Sequence, residues 1–256
     1  MSGGVPRVAI VTGASRGIGA ATARELSSAG CAVVCASRSL GALEKLAASL
    51  PGPSLAFAAD LRERDAAARL VEAALARFGR LDVVVNNAGD TPRGDFLAFD
   101  DDAWEAGFAL KFFGAMRLCR AAWPALVESQ GCIVNIAGIG GRTGSAEFAI
   151  GGSVNAAVLN LTKALADRGI RDGVRVNAVN PSSIATERTR ARIGKLAAER
   201  GVPEAQAAAE LAAQLRVARY GEPEEVARVV AFLASPAASY MQGAIVDVDG
   251  GQTRTL

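Results

Sequence analysis

The chain has 256 residues, half of them hydrophobic, and its 28 basic and 26 acidic side chains leave a formal charge of only +2. This composition excludes a disordered chain and provides no strong field for nucleic acid or an anionic membrane. Histidine is absent, which removes the commonest general acid–base residue and the commonest metal ligand. We therefore expect a globular protein that acts on a small molecule, without a metal site and without a nucleic-acid or membrane partner.

The four cysteines, Cys31, Cys35, Cys119 and Cys132, form no C-x-x-C pair and lie in apolar or helical contexts. That pattern is typical of buried, reduced thiols. Residues 1–7 lack the apolar segment of a signal peptide, and no apolar run approaches about 18 residues. We expect a cytoplasmic location.

Seven apolar segments of strand length, rich in β-branched residues, recur along the chain, as expected for strands buried on both faces. They are Val8–Val11, Ala32–Ala36, Leu55–Ala58, Val83–Val85, Ile133–Ile136, Val174–Val179 and Ile245–Val248. Segments with helical periodicity lie between them. This alternation predicts an α/β fold with a doubly wound parallel sheet and helices on both faces.

One stretch, Glu187–Val217, interrupts the alternation with a helical pattern rich in Ala, Arg and Glu. Such an insertion is typical of a lid or a wall of the substrate pocket. The alternative is a solvated pair of surface helices. The sequence favours neither interpretation.

A glycine-rich turn joins the first strand to the first helix, with the spacing G-x-x-x-G-x-G. Glycines there let backbone N–H groups approach a pyrophosphate at the helix N-terminus, whose dipole favours the negative charge. The residues expected to bind a dinucleotide in this turn are Gly13, Ser15, Arg16, Gly17, Ile18 and Gly19.

The second strand ends at Ser37 and Arg38, where an enzyme that selects NAD would often carry an acidic residue. With Arg16 in the glycine turn, two guanidinium groups would lie near the ribose 2′ position and suit a phosphate. We therefore expect NADP(H) rather than NAD(H). The alternative is a pair of ordinary surface arginines.

Over nearly its whole length the sequence resembles the short-chain dehydrogenase/reductase family. The motifs are the glycine turn, Asp60-Leu61, Asn86-Asn87-Ala88-Gly89, Arg175–Pro181 with Thr186, Gly221–Ala227 and Val248–Gly251. The resemblance implies a single Rossmann-type domain over residues 1–256 and a homodimer or homotetramer formed through the fourth and fifth long helices. It also implies that Asp60 and Leu61 contact the adenine, that Thr186 meets the nicotinamide, and that Asn87, Ala88, Gly89 and Pro181 lie at the cofactor.

Family members normally use a Ser, a Tyr, a Lys four residues after the Tyr, and an Asn on the preceding long helix. Alignment of the flanking motifs places these four positions on Gly138, Gly151, Asn155 and Lys111, respectively. No tyrosine occurs before Tyr220, so a small shift of the alignment does not restore the missing phenol. The resemblance therefore predicts a member that lacks the usual catalytic residues.

Compared with the family pattern, the lysine and the asparagine are exchanged between the two helices. We hypothesise that Lys111 reaches toward Asn155 and restores a cation near the nicotinamide ribose or the substrate. The alternative is a lysine that extends into solvent or an oligomer contact. Ser145 and Glu147 are further candidates for handling a proton, because burial would raise the pKa of a carboxyl group there; the alternative for Glu147 is an exposed loop carboxylate.

Two functions follow from these observations. The first is an NADP(H)-binding enzyme that acts on a small organic substrate, such as an apolar carbonyl or polycyclic compound, by a redox or non-redox route without the usual triad. The second is a catalytically inactive relative that serves as a scaffold or partner subunit.

Overall fold

The computed structural model describes residues 6–254 and contains one seven-stranded parallel sheet in the order β3-β2-β1-β4-β5-β6-β7. The strands are β1 (Val8–Thr12), β2 (Ala32–Ser37), β3 (Ser54–Ala58), β4 (Val83–Asn86), β5 (Cys132–Ile136), β6 (Arg175–Pro181) and β7 (Ile245–Val248). The predicted doubly wound sheet is confirmed. The sixth strand extends further than predicted, from Arg175 to Pro181.

The helices are α1 (Gly17–Ser28), α2 (Leu40–Ser49), α3 (Ala66–Phe78), α4 (Asp101–Phe108), α5 (Ala115–Ser129), α6 (Ala149–Asp172), α7 (Glu187–Arg200), α8 (Glu204–Gln214) and α9 (Pro223–Ala234). A π-helical segment, Ala109–Gly114, joins α4 to α5. Such wide turns often occur at functional sites, and this one contains Lys111.

Alternate side chains of β1 belong to two hydrophobic clusters, one on each face of the sheet. Ala9 and Val11 pack with residues of α1, α2 and α9, whereas Val8 and Ile10 pack with residues of α3, α5 and α6. Successive side chains of a strand point to opposite faces, so a strand covered on both sides is apolar throughout. All five residues of β1 are buried accordingly.

Helices α7 and α8 pack around a separate hydrophobic cluster, formed by Ile193, Ala197, Ala207, Ala212, Val217 and Tyr220.

The four cysteines are buried and form no disulfides. Desolvation raises the pKa of Cys35 and Cys119 to about 12.

The predicted single domain spans residues 1–256, and the expectation about a signal peptide rests on residues 1–7. Of these, residues 1–5 and 255–256 lie outside the described residues. No helix within residues 6–254 is long and apolar enough to cross a bilayer. In the same range, no three Cys, Asp or Glu side chains come together as a potential metal site.

Candidate functional site

The predicted site residues lie at or beyond the carboxyl ends of the central strands. In parallel α/β sheets this edge, near the point where the strand order reverses, is where ligands bind. Here β1 is the switch point, flanked by β2 and β4. The fold therefore brings together motifs that are separated by more than 100 residues of chain.

The glycine turn after β1 has a backbone that requires glycine at two positions. Gly13 and Gly17 adopt φ angles of +65° and +55°, in the left-handed region that favours glycine. Gly19, in the first turn of α1, has no room for a side chain, because a Cβ there would overlap the carbonyl oxygen of Gly13 and crowd Asn87 Nδ2. The glycine turn and the first turn of α1 thus pack directly against each other and against Asn87.

Hydrogen bonds tie the Asn87-Ala88 segment to the glycine turn. The Thr12 hydroxyl accepts from the backbone N–H groups of Asn87 and Ala88, each at 3.0 Å, and donates to the Val85 carbonyl at 3.2 Å. The Asn87 side chain donates to the Thr12 carbonyl at 2.9 Å. These bonds hold the ends of β1 and β4 in a fixed relation, as a preformed ligand cradle requires.

Arg16, in the glycine turn, and Arg38, directly after β2, are both exposed, while Ser37 is half-buried. The Asp60 carboxylate accepts from Arg62 Nε at 3.0 Å, and this hydrogen bond is the main cause of its lowered pKa; the charge of Arg38 adds to the effect. Leu61 is buried in the core. The surface near the end of β2 therefore carries exposed positive charge, and the nearby carboxylate of Asp60 is already paired with Arg62.

Thr186 lies directly over the glycine turn. A Cβ on Gly17 would stand 3.2 Å from Thr186 Cγ2 and 3.6 Å from Glu187 Oε2. Thr186 also caps α7, because its hydroxyl accepts from the Thr189 N–H. The segment after β6 therefore places the start of α7 against the start of α1, next to the buried Pro181.

Gly138 and Asn155 are neighbours. A Cβ on Gly138 would stand 2.9 Å from Asn155 Nδ2, and Gly138 itself adopts a φ of +156°. Asn155 is 3% exposed, and its Oδ1 atom has no hydrogen-bond partner within residues 6–254. A buried acceptor without a partner is costly, and a donor from a water or a ligand would satisfy it.

Lys111 extends from the π-helical segment across Gly89 to the end of β5. Its Nζ donates to the Ala137 carbonyl at 2.7 Å, and a Cβ on Gly89 would lie 2.8 Å from Lys111 Cδ. Burial lowers the pKa of Lys111 to about 8, and the positive charge of Arg188 contributes. The hypothesised approach to Asn155 is not a direct contact, because the ammonium bonds instead to the residue that precedes Gly138.

The space above Gly151 is occupied by Phe148. A Cβ on Gly151 would overlap the Phe148 ring, which also lies 3.0 Å from a Cβ built on Gly140. The Arg93 guanidinium also lies over this ring, with Cζ 4.2 Å from the centroid. Ser145 and Glu147, just before Phe148, are exposed. The burial that would prepare Glu147 as an acid is therefore absent.

The comparisons with known proteins agree with these motifs. Residues 13–253 match the family model described as enoyl-(acyl carrier protein) reductase. The meso-2,3-butanediol dehydrogenase of Serratia marcescens is 37% identical over 252 residues, which cover 96% of this chain and 94% of that protein. The chain belongs to the short-chain dehydrogenase/reductase family.

Solved structures of family members share the whole fold. The L-sorbose reductase of Gluconobacter frateurii, solved with NADPH and L-sorbose, superposes with a TM-score of 0.94 at 29% identity, with complete coverage of both chains. An actinorhodin polyketide ketoreductase variant solved with NADPH gives a TM-score of 0.91 at 30% identity and covers 98% of each chain.

Two residues of this short-chain dehydrogenase/reductase were missed by the sequence analysis. Phe148 could have been found, because a residue three positions before Gly151 lies one helical turn away and reaches the space that glycine leaves open. Arg93 carried no such signal. Its contact with Phe148 joins two loops that are 55 positions apart, and only the fold brings them together.

Proposed function

We propose that the protein is an NADP(H)-dependent reductase of a small organic carbonyl compound, in which Lys111 takes over proton transfer from the family's Tyr and Lys. The observation that carries this proposal is the position of Lys111 Nζ at the carboxyl end of β5, with its pKa lowered to about 8. An acid–base group works best when its pKa is near the working pH. Gly138 and Gly151 provide no hydroxyl for this role.

The dinucleotide fits the residues present, because the cradle formed by Gly13, Gly17 and Gly19 has no room for side chains. In addition, no donor among residues 6–254 reaches Asn155 Oδ1. Bound NADPH would supply the hydride. We assign its binding to Gly13, Ser15, Arg16, Gly17, Ile18, Gly19, Ser37, Arg38, Asp60, Leu61, Asn87, Ala88, Gly89, Asn155, Pro181 and Thr186. The preference for NADP(H) over NAD(H) rests on the exposed Arg16 and Arg38 and is supported by the NADPH-bound relatives.

Lys111 would act on the substrate oxygen. Its ammonium uses one N–H for the Ala137 carbonyl and keeps two others, one of which donates to the carbonyl oxygen of the substrate. As the carbonyl carbon is reduced, the oxygen takes a proton from Nζ and becomes a hydroxyl, and the resulting amine recovers a proton from water. Asn155 would hold a ribose hydroxyl through its buried Oδ1 without carrying charge.

The remaining assignments belong to the same proposal. Residues 187–217 form a wall of the substrate pocket, supported by the contact of Thr186 and Glu187 with the glycine turn. We further propose one domain over the whole chain, a cytoplasmic location and a homodimer or homotetramer, as in the family. Ser145 and Glu147 would line the entrance rather than transfer protons.

A second candidate is an inactive relative that serves as a scaffold or partner subunit. It is favoured by the Phe148 ring, which fills the place where the family's Tyr side chain would begin. In that case the dinucleotide would bind without being consumed.

NADPH deuterated at the reactive nicotinamide C4 separates these candidates. The enzyme is incubated with a panel of ketones, and the products are analysed by mass spectrometry. Deuterium in an alcohol product supports the reductase. A product without deuterium indicates a non-redox reaction. No product from any ketone, despite saturable NADPH binding measured by fluorescence, would favour the scaffold.

A further inference from the structure

Arg93 is held at the entrance of the candidate site by two contacts of its own loop. The Gly94 N–H donates to the Glu147 carbonyl at 3.0 Å, and the Arg93 guanidinium stacks on Phe148. Stacking on the ring face leaves the N–H edge of a guanidinium available for hydrogen bonds. The same ring occupies the space beside Gly151 and Gly140. A Cβ on Gly140 would lie 3.7 Å from Asn155 Nδ2, so the ring borders the proposed reaction site.

Helix α7 brings two more arginines to the same entrance. Arg188 and Arg192 are four positions apart and therefore lie on one helix face. Arg188 Nη1 bonds to Asp90 Oδ1 at 2.8 Å, which fixes α7 against the segment that follows β4. Both arginines lie close enough to Arg93 to contribute to the lowering of its pKa, for which desolvation is the largest cause.

Positive charge exceeds negative charge in this cluster. Arg93, Lys111, Arg188 and Arg192 are accompanied by three carboxylates, Asp90, Glu147 and, at the start of α7, Glu187. Asp90 is already paired with Arg188. Within the described part of the chain, neither Arg93 nor Arg192 forms an ion pair. Cations crowded in this way repel one another, and a bound anion would relieve that repulsion.

We propose that Arg93 and Arg192 bind an anionic group of the substrate, a carboxylate or a phosphate, on a short chain attached to the reacting carbonyl. This inference rests on the proposed reductase function and names the class of its substrate. A guanidinium binds either anion through two parallel hydrogen bonds, and the ring of Phe148 keeps the plane of Arg93 oriented for this. The oxygen of the same substrate would reach Lys111 on the inner side of the ring.

Binding is tested by calorimetry on the protein saturated with NADP⁺, which does not require turnover. The probes are 4-oxopentanoate, its methyl ester, and 4-oxopentyl phosphate. The double variant Arg93→Met/Arg192→Gln is compared with Lys195→Gln, which removes an exposed cation of the same helix α7. Circular dichroism and NADPH binding establish that the variants fold and keep the dinucleotide site.

We expect one or both anions to bind at least about tenfold more tightly than the ester, since hydrogen bonds to charged groups are the strong ones. The double variant should lose this preference, and Lys195→Gln should keep it. Selective binding of the phosphate probe or of the carboxylate probe identifies which anionic group the substrate carries. Equal binding of ester and anions, no binding of any probe, or an unchanged double variant overturns the proposal. Anion binding, together with no deuterium transfer from NADPH to any ketone of the panel, leaves this site standing and contradicts the reductase function.

Discussion

The Phe148 ring lies where a side chain at Gly151 would begin, so the two residues share one space. A Cβ at residue 151 would overlap the tip of the ring, so glycine there leaves the ring its space. The ring in turn supports Arg93 at the entrance. Gly151, the position predicted to align with the family's Tyr, therefore provides space for the side chain that contacts Arg93.

This relationship predicts that the effect of Gly151→Ala depends on residue 148. In the wild type the added methyl group overlaps the ring, and we expect the free energy of unfolding to fall by about 1–3 kcal/mol. In a Phe148→Ala background the same change should raise it by about 0.5–1 kcal/mol, because alanine is the better helix former. Urea unfolding of the four proteins measures both effects; an equal loss in the two backgrounds would contradict the shared space.

Gly19→Ala is expected to damage the dinucleotide cradle. The methyl group would overlap the Gly13 carbonyl and crowd Asn87 Nδ2, so the start of α1 has to move. We expect affinity for NADPH to fall more than about tenfold, as for the loss of charge-assisted hydrogen bonds. The matched control is Gly41→Ala on α2, where a Cβ meets nothing within 4 Å and NADPH titration should give the wild-type value.

Replacing both Arg16 and Arg38 by alanine should reduce selectivity between the two dinucleotides. Each guanidinium is exposed and available to the 2′-phosphate of NADPH. We expect the NADPH dissociation constant to rise about 10–100-fold while that for NADH changes little, because NADH lacks this phosphate. Fluorescence titration with both dinucleotides measures the change, with Arg77→Ala at the end of α3 as the control. An equal loss of affinity for NADH would mean that the two arginines do not recognise the 2′-phosphate.

Lys111→Met should remove proton transfer and leave the dinucleotide site intact. We expect kcat to fall by about 10²–10⁴, the usual contribution of a general acid, with the NADPH dissociation constant within about twofold. In the wild type, kcat for carbonyl reduction should decline above pH 8 as the ammonium loses its proton. Lys195→Met serves as the control. An unchanged kcat for Lys111→Met would remove Lys111 from the mechanism.

The lowered pKa of Lys111 also predicts a pH-dependent difference in stability. Its pKa falls from 10.5 to about 8 on folding, so between these values the unfolded chain binds more protons and stability rises with pH. Relative to Lys111→Met, the free energy of unfolding of the wild type should rise by up to about 3 kcal/mol from pH 8 to pH 10.5. Below pH 8 the difference should be constant. Urea unfolding of both proteins at four pH values gives this difference, and a flat difference across the range would contradict the lowered pKa.

Much of the dinucleotide cradle could be anticipated from local patterns. The strand before the turn, the glycine spacing within it and the helix after it all lie within 21 consecutive residues, Val8–Ser28. Local hydrogen bonds and φ requirements act over such distances, so the sequence carries them directly. The positive charge at the end of β2 could be anticipated for the same reason, because Arg38 directly follows Ser37, the last residue of that strand.

The catalytic end could be anticipated only in part. The flanking motifs predict its four positions, but the direction of Lys111 depends on the π-helical turn that offsets the register between α4 and α5. A turn of this kind has no reliable sequence signature, and it directs the ammonium to Ala137 rather than to Asn155.

The sequence by itself determined the alternation of strands and helices, the glycine turn and the absence of a phenol before Tyr220, because each depends on residues close together in the chain or on composition. Only the tertiary structure decided that Phe148 covers Gly151, that Arg93 stacks on that ring, and that α7 brings Arg188 and Arg192 beside it. These contacts join elements far apart in the chain, and their geometry depends on how the helices pack against the sheet.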